Sequence, residues 1–446
     1  MEKAKVGLAV IARKLFDMNY VQNLLPTFLR AVESDHGLIE MIGPIFTSEE
    51  AENAASAFNF KDCDLLVILM ASFADATPVA ALAAACDVPI LLWALEEPSS
   101  ETGRLRLNSF CGATLAANSL TSLGKPFHFV YGSPEDPAVT KDLQKHILVR
   151  KIHKSMKKAR IGVVGVRPTG YYACNFDEMD LRRVIGPTVE YLSLRELQAE
   201  AVKISPEERS AFFEDLSPLV SGLEKVDSQQ RDGTANTYFA LKNIIQKRGF
   251  QAVAVRCWPE IFDENGHAPC GALSRLNDTG FIAGCEADVN ATATMLALTG
   301  LSGGISFVVD VVAAGAKKNT WTLWHCGAGP LSMASSSRKV IAGYQPNRKL
   351  GLAFWFGMKS GPLTIARISY QRGCYRMLVT GGEVIDTTPH FSQGSSALVQ
   401  MQGDAMAGAK RMVELGFEHH VVICYGQVMD ELAMLADAWN IELIKL

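Results

Sequence analysis

Within the first 130 residues, short apolar runs alternate with helix-forming stretches, and the run Leu65-Leu-Val-Ile-Leu-Met70 is apolar without a break. A strand with no polar alternation needs cover on both faces. The same rhythm predicts strands over 5–12, 38–42, 65–70 and 89–94 and helices over 18–34, 48–58 and 78–86. Strands and helices in strict alternation, joined by short connections, predict a parallel sheet with helices on both sides. No Gly-x-Gly-x-x-Gly follows the first strand, Val6-Gly-Leu-Ala-Val-Ile-Ala12, so a dinucleotide cofactor is not indicated.

Asn108-Ser109-Phe110-Cys111-Gly112 precedes a helix over 113–123 and a strand over 127–131. Asn108 and Ser109 either cap that helix or reach a polyol. After the connector at 133–137 and a basic helix over 139–158, a second α/β unit begins with a strand over 160–166. Further strands are expected over 190–194 and 252–256, and helices over 205–223 and 234–248. Ser205-Pro-Glu-Glu is a helix start with proline at the first helical position. Beyond residue 330 the texture changes to short β-rich runs at 352–356, 363–370, 375–382 and 383–387, with Gly361-Pro362 and Gly381-Gly382 read as turns. The fold class is therefore α/β: two parallel-sheet, Rossmann-like α/β domains over 1–155 and 156–330, then a β-rich, barrel-like domain over 331–446.

Composition excludes more than it selects. The 446 residues carry a formal net charge of −4, and no basic tract exceeds that at 151–160, which argues against nucleic acid or an anionic membrane as partner. The start is quickly polar and no apolar run reaches membrane-spanning length, so a soluble, cytoplasmic protein is expected. Ten cysteines without Cys-x-x-Cys spacing read as buried free thiols.

The candidate chemistry lies between Gly284 and Gly329. Glu286 follows a short apolar run at a strand-to-helix junction, and Asp310 ends the next run, 305–309. Either acid alone is as well explained by a helix cap or a solvated strand end. Together, at the ends of adjacent strands, they would face one crevice. Arg256, Trp258 and Glu260 cluster just past another strand, with Trp258 either packing or lining a pocket. His36, His128, His146, His153 and His267 have polar neighbours and are expected at the surface. His325, His390, His419 and His420 stand at strand ends in the same half as the two acids. Two carboxylates and a histidine leave open positions on a divalent ion, and without cysteine in the pattern manganese or magnesium is favoured over structural zinc.

In order and spacing, Glu286-Ala-Asp288 with Asp310, Trp324-His325-Cys326-Gly327, Thr388-Pro389-His390 and His419-His420 resemble the L-fucose and L-arabinose isomerase group, especially its shorter, fucose-isomerase-like members. The likeness runs from about residue 155 to the end, with the first domain similar in texture and at Asn108 to Gly112. It implies Mn²⁺ or another divalent cation held by Glu286, Asp310 and His420, only one of two adjacent strand histidines facing the ion. His325 is assigned to the substrate, since the preceding strand lacks the histidine ligand of the arabinose enzymes.

The implied activity is aldose–ketose isomerisation of a free monosaccharide through a cis-enediolate, with Glu286 and Asp310 as the acid–base pair. Candidate substrates are a deoxy sugar, a pentose, or a C6-anionic sugar such as sulfoquinovose, whose anion would meet Arg256, Arg167 and His390. The resemblance further implies a homo-oligomer, trimer or hexamer, in which Trp93, Asn108 and Ser109 complete a neighbour's pocket. The competing class is a noncatalytic sugar-binding or regulatory protein of the same fold. Asp288, two residues from Glu286, is expected to matter less.

Overall fold

The computed structural model describes residues 2–33, 35–57, 63–85, 87–99, 103–386 and 388–446. The helix ends expected at Ser34, Phe58 and Cys86 and the strand end at Thr387 lie outside the described residues. The chain forms two compact units, 1–155 and 156–446.

The first unit carries β1 (Ala4–Ile11), β2 (Gly37–Ile45), β3 (Leu65–Met70), β4 (Ile90–Ala94) and β5 (Phe127–Tyr131). They form one parallel sheet in the order β2-β1-β3-β4-β5, a common doubly wound order. The unbroken apolar run is β3, buried at every position. Leu65, Val67 and Leu69 enter one core cluster and Leu66, Ile68 and Met70 another, so each face of the strand has its own helical cover.

The second unit begins with β6 (Arg160–Val164), β7 (Thr188–Leu192), β8 (Val220–Ser221), β9 (Ala252–Val255) and β10 (Ile282–Gly284). Four of these form a parallel sheet in the order β10-β9-β6-β7. The helix expected over 205–223 stops at Leu216, before Ser217-Pro218, and β8 follows inside the range read as helical. A residue ahead of proline is disfavoured in helical conformation.

The remaining strands are β11 (Ser306–Gly315), β12 (Thr320–His325), β13 (Val340–Tyr344), β14 (Gly351–Gly357), β15 (Gly361–Gln371), β16 (Cys374–Asp386), β17 (Ser395–Met401), β18 (His420–Tyr425) and β19 (Glu442–Lys445). The order β16-β15-β18-β11-β12-β17 is antiparallel throughout, and pairing of β16 with β17 closes it into a barrel. β19 extends the sheet on β16, and β14, β13 and β8 extend it on β17.

Two sequence expectations change here. Asp310 does not end a strand beside that of Glu286: it lies within β11, whose partners are antiparallel barrel strands, while β10 belongs to the parallel sheet. An apolar run carries no sign of its partner's direction, which is why the two strands read alike. Gly381-Gly382 is no turn either, because both lie inside β16. One edge of that strand pairs with β19 over 376–379 and with β17 from Gly382 onward. A Cβ on Gly382 would stand 2.7 Å from the Gln400 carbonyl oxygen, so glycine is what lets the barrel close there. Among the described residues, no helix is long and apolar enough to cross a membrane.

Candidate active site

After β10 the chain turns through Glu286 (φ 57°) and Ala287 (φ 52°), two successive non-glycine residues in the left-handed region. Such residues cost about 1–3 kcal/mol each and collect at functional sites. The turn is pinned by the Ala287 amide donating to the Val255 carbonyl (2.9 Å) and the Asp288 amide to that of Cys285 (3.0 Å). Asp288 then caps the helix Val289–Ser302, its Oδ1 accepting from the Ala291 amide at 2.9 Å. Glu286 is thereby held between the parallel sheet and the barrel.

The barrel supplies the other groups. Asp310 of β11 pairs with His420 of β18 on one side and Trp324 of β12 on the other. His420 Nε2 lies 3.6 Å from Glu286 Oε2 and 3.9 Å from Asp310 Oδ1. Both oxygens are buried and accept no hydrogen bond. Buried carboxylate oxygens without a donor are costly unless a cation satisfies them. Two carboxylates, with oxygens 3.6 and 3.9 Å from one imidazole nitrogen, are a donor set that suits a divalent ion with open positions, so the residue types present fit the metal implied by the resemblance. His419 Nε2 is 3.4 Å from the same Glu286 oxygen, and Glu286, His419 and His420 have donor atoms within 4.8 Å of one another.

Trp258 joins this group directly: its indole N–H donates to Glu286 Oε1 at 2.9 Å. Burial works to raise the Glu286 carboxyl, but His419, His420 and Trp258 outweigh it and hold the acid below its ordinary range. Burial works to lower His419, and Glu286 and Asp310 outweigh it to raise that histidine. His325 is buried, its ring centroid 6.1 Å from that of His420. Burial opposes its charge, while Cys326, Asp310 and Glu286 raise it. Tyr171, in the loop after β6, closes one side with its ring against Trp258 (5.0 Å) and His419 (5.8 Å).

The other expected residues have local partners of their own. Arg256 is engaged by both oxygens of Glu260, at 2.6 and 2.5 Å, and by the carbonyls of Val166 and Arg167. Arg167 stacks on Tyr172 at 4.8 Å. His390 is exposed, its ring edge-on to Phe391 at 5.0 Å, and its amide donates to Ser396 Oγ. Within the first unit, Trp93 is fully buried with its indole N–H on the Gly132 carbonyl. Ser109 is buried too, donating to Met70 and accepting from the Leu95 amide. Asn108 is half-buried with φ 52° and makes no side-chain cap. His146 and His267, expected at the surface, are 7% and 4% exposed, because polar neighbours in sequence do not fix which way a helix or loop faces.

Two groups were not foreseen. Asp288 is no bystander: it is fully buried and its Oδ2 meets both His420 Nδ1 (2.9 Å) and Arg367 Nη1 (2.7 Å). Arg367 itself is wholly buried in β15, and a lone charge among the uncharged residues Leu363–Tyr370 is the signal that marks a buried ion pair. Cysteines also approach the site: Cys174 lies with Asp288 and His420 inside one 4.8 Å cluster, and Cys257 and Cys285, each one residue before Trp258 and Glu286, have sulfurs 3.2 Å apart.

Residues 7–157 match the family model of the fucose/sulfoquinovose isomerase N-terminal domain, and residues 323–446 that of the L-fucose isomerase C-terminal domain. His325, His390 and His420 fall in the second match, and Glu286 and Asp310 between the two. The chain is 32% identical to the sulfoquinovose isomerases of Priestia aryabhattai and Priestia megaterium over 445 residues, 99% of each chain. It is 33% identical to that of a Clostridium species over 381 residues, 85% of each chain.

Proposed function

The chain belongs to the fucose/sulfoquinovose isomerase family and is an aldose–ketose isomerase, and on that premise we propose that it converts sulfoquinovose to its 2-ketose with a divalent cation, Mn²⁺ foremost, held by Glu286, Asp310 and His420. The observation that carries the metal reading is the pair of buried oxygens without a hydrogen bond, Glu286 Oε2 and Asp310 Oδ1, lying 3.6 and 3.9 Å from His420 Nε2. The substrate reading rests on relatives of that activity matched along 99% of their length.

The isomerisation moves one proton from C2 to C1 and one from the C2 hydroxyl to the carbonyl oxygen, through an enediolate with both oxygens on one side. When bound, the cation supplies positive charge beside those two oxygens. Glu286 and Asp310 take and return the protons, one at carbon and one at oxygen. Trp258 fixes the direction of the Glu286 carboxylate through its indole N–H. His325 meets a substrate hydroxyl, and Tyr171 and His419 wall the site from water. Arg256 serves by holding the 166–167 backbone, leaving Arg167 and His390 as the cations for the sulfonate. The protein acts as a cytoplasmic homo-oligomer, trimer or hexamer, in which Asn108 of a neighbouring copy shapes the pocket, while Trp93 and Ser109, buried in the first unit, support that surface from within.

The test is a panel of sulfoquinovose, glucose, L-fucose and L-arabinose with added Mn²⁺, read as ketose formation. Sulfoquinovose is expected to give the highest kcat/KM. Preference for an uncharged sugar would overturn the substrate, and loss of no activity on exhaustive chelation would overturn the metal.

A further inference from the structure

The two nitrogens of His420 serve different surroundings. Nε2 faces Glu286 and Asp310, whereas Nδ1 lies 2.9 Å from Asp288 Oδ2. Asp288 Oδ1 accepts from the Ala291 amide at 2.9 Å and Oδ2 from the Arg367 guanidinium at 2.7 Å, so both oxygens already act as acceptors and the group stands as the carboxylate of an ion pair. An ionised carboxylate only accepts, so the proton of this hydrogen bond belongs to His420 Nδ1. A neutral ring protonated at Nδ1 carries its lone pair on Nε2, the atom that faces the two acids.

Asp288 is itself held from behind. Arg367 Nη1 reaches the same Oδ2 at 2.7 Å, its Nε donates to Glu418 Oε2 at 3.2 Å, and its Nη2 donates to the Ala173 carbonyl at 3.3 Å. Ser369 Oγ donates to the other Glu418 oxygen at 2.9 Å. One guanidinium thus lies between two carboxylates, leaving an excess negative charge behind the ring. Burying such a network costs stability where apolar side chains would fill the same space. Its effect on His420 accounts for its place: a carboxylate on the far nitrogen of a ligating histidine fixes the ring and raises its basicity.

We propose that Asp288 and Arg367 are positioning residues that hold His420 as the Nδ1-protonated tautomer, with Nε2 aimed at the cation between Glu286 and Asp310. This rests on the metal-dependent reading given above.

Asp288→Asn is the first test, because asparagine caps a helix as well as aspartate does and the helix Val289–Ser302 keeps its start. Titration of Mn²⁺ followed by the electron paramagnetic resonance of the free ion is expected to give a Kd weakened about 10- to 100-fold, with much of the lost kcat returned at saturating Mn²⁺. Arg367→Lys is expected to weaken the ion in the same direction and less. A wild type that binds Mn²⁺ tightly and an Asp288→Asn protein that binds it equally tightly would overturn the positioning role alone. A wild type that binds none would overturn the metal reading beneath it. Histidine ¹⁵N labelling of the wild type before metal is added serves should the variants fail to fold: a proton is expected on His420 Nδ1, and a bare Nδ1 overturns the proposal.

Discussion

Asp310 and His420 are register partners across the antiparallel strands β11 and β18, with Asp310 Oδ1 3.9 Å from His420 Nε2. Directly opposed residues project from the same face of a sheet, so the barrel's pairing alone sets two of the three proposed ligands side by side. Glu286 arrives from a different sheet, through a turn that holds two residues at positive φ.

Glu286→Gln and Asp310→Asn are each expected to reduce kcat/KM below about a thousandth of wild type, because each change weakens the ion and removes a base. Without metal, Asp310→Asn should be about as heat-stable as the wild type, its buried oxygen accepting no hydrogen bond, whereas Glu286→Gln should be less stable, since His419, His420 and Trp258 favour the ionised acid. Activity, metal content and thermal unfolding of the three proteins check this together. Wild-type activity in both variants would place the chemistry elsewhere.

Chelation is expected to abolish isomerisation and Mn²⁺ to restore it. The same ion should raise the unfolding temperature, by about 2.7 kcal/mol in stability at a hundredfold excess over Kd. Scanning calorimetry with and without Mn²⁺ reads this without reference to any substrate, and an unchanged transition would count against a resident ion.

Trp258→Phe keeps an aromatic ring beside Tyr171 but deletes the 2.9 Å hydrogen bond to Glu286 Oε1. Hydrogen bonds to charged groups contribute about 1.5–3 kcal/mol, so kcat should fall about 10- to 100-fold. Steady-state kinetics at saturating metal tests it, and a kcat within twofold of wild type would assign Trp258 to packing.

The legible part of this molecule was whatever depends on local pattern. The apolar run at β3, the strand-to-helix junction at Glu286 and the helix start at Ser205-Pro206 all stand in the structure where their residues indicated. Pairing direction and closure were not legible: nothing local distinguishes Ser306–Gly315 in a barrel from the same residues in a parallel sheet, or tells that Gly381-Gly382 lies inside a strand rather than ending it. The Asp288–Arg367–Glu418 network joins positions 79 and 51 residues apart and belongs to tertiary structure. Its one local trace is a charged residue in an otherwise uncharged strand. The same limit explains His146, whose charged neighbours Lys145 and Arg150 hid that its own side of the helix is buried.

His146 yields a pH prediction for the first unit. Burial lowers it most, and His128, whose ring centroid is 4.9 Å away, adds to the effect, leaving its pKa at about 3 against an ordinary 6.5. The unfolded chain therefore takes up this proton at a pH where the folded one does not. Stability from the neutral ring is fully present above pH 6.5, declines as the unfolded chain is protonated below that, and is exhausted once pH falls through about 3. Each unit of separation is worth about 1.4 kcal/mol, so the loss across the window amounts to a few kcal/mol. His146→Leu removes the group, and its unfolding free energy should change less between pH 7 and pH 4 than that of wild type, measured by urea denaturation at each pH. Parallel pH profiles for the two proteins would mean that His146 is protonated in the fold and that its burial is relieved in solution.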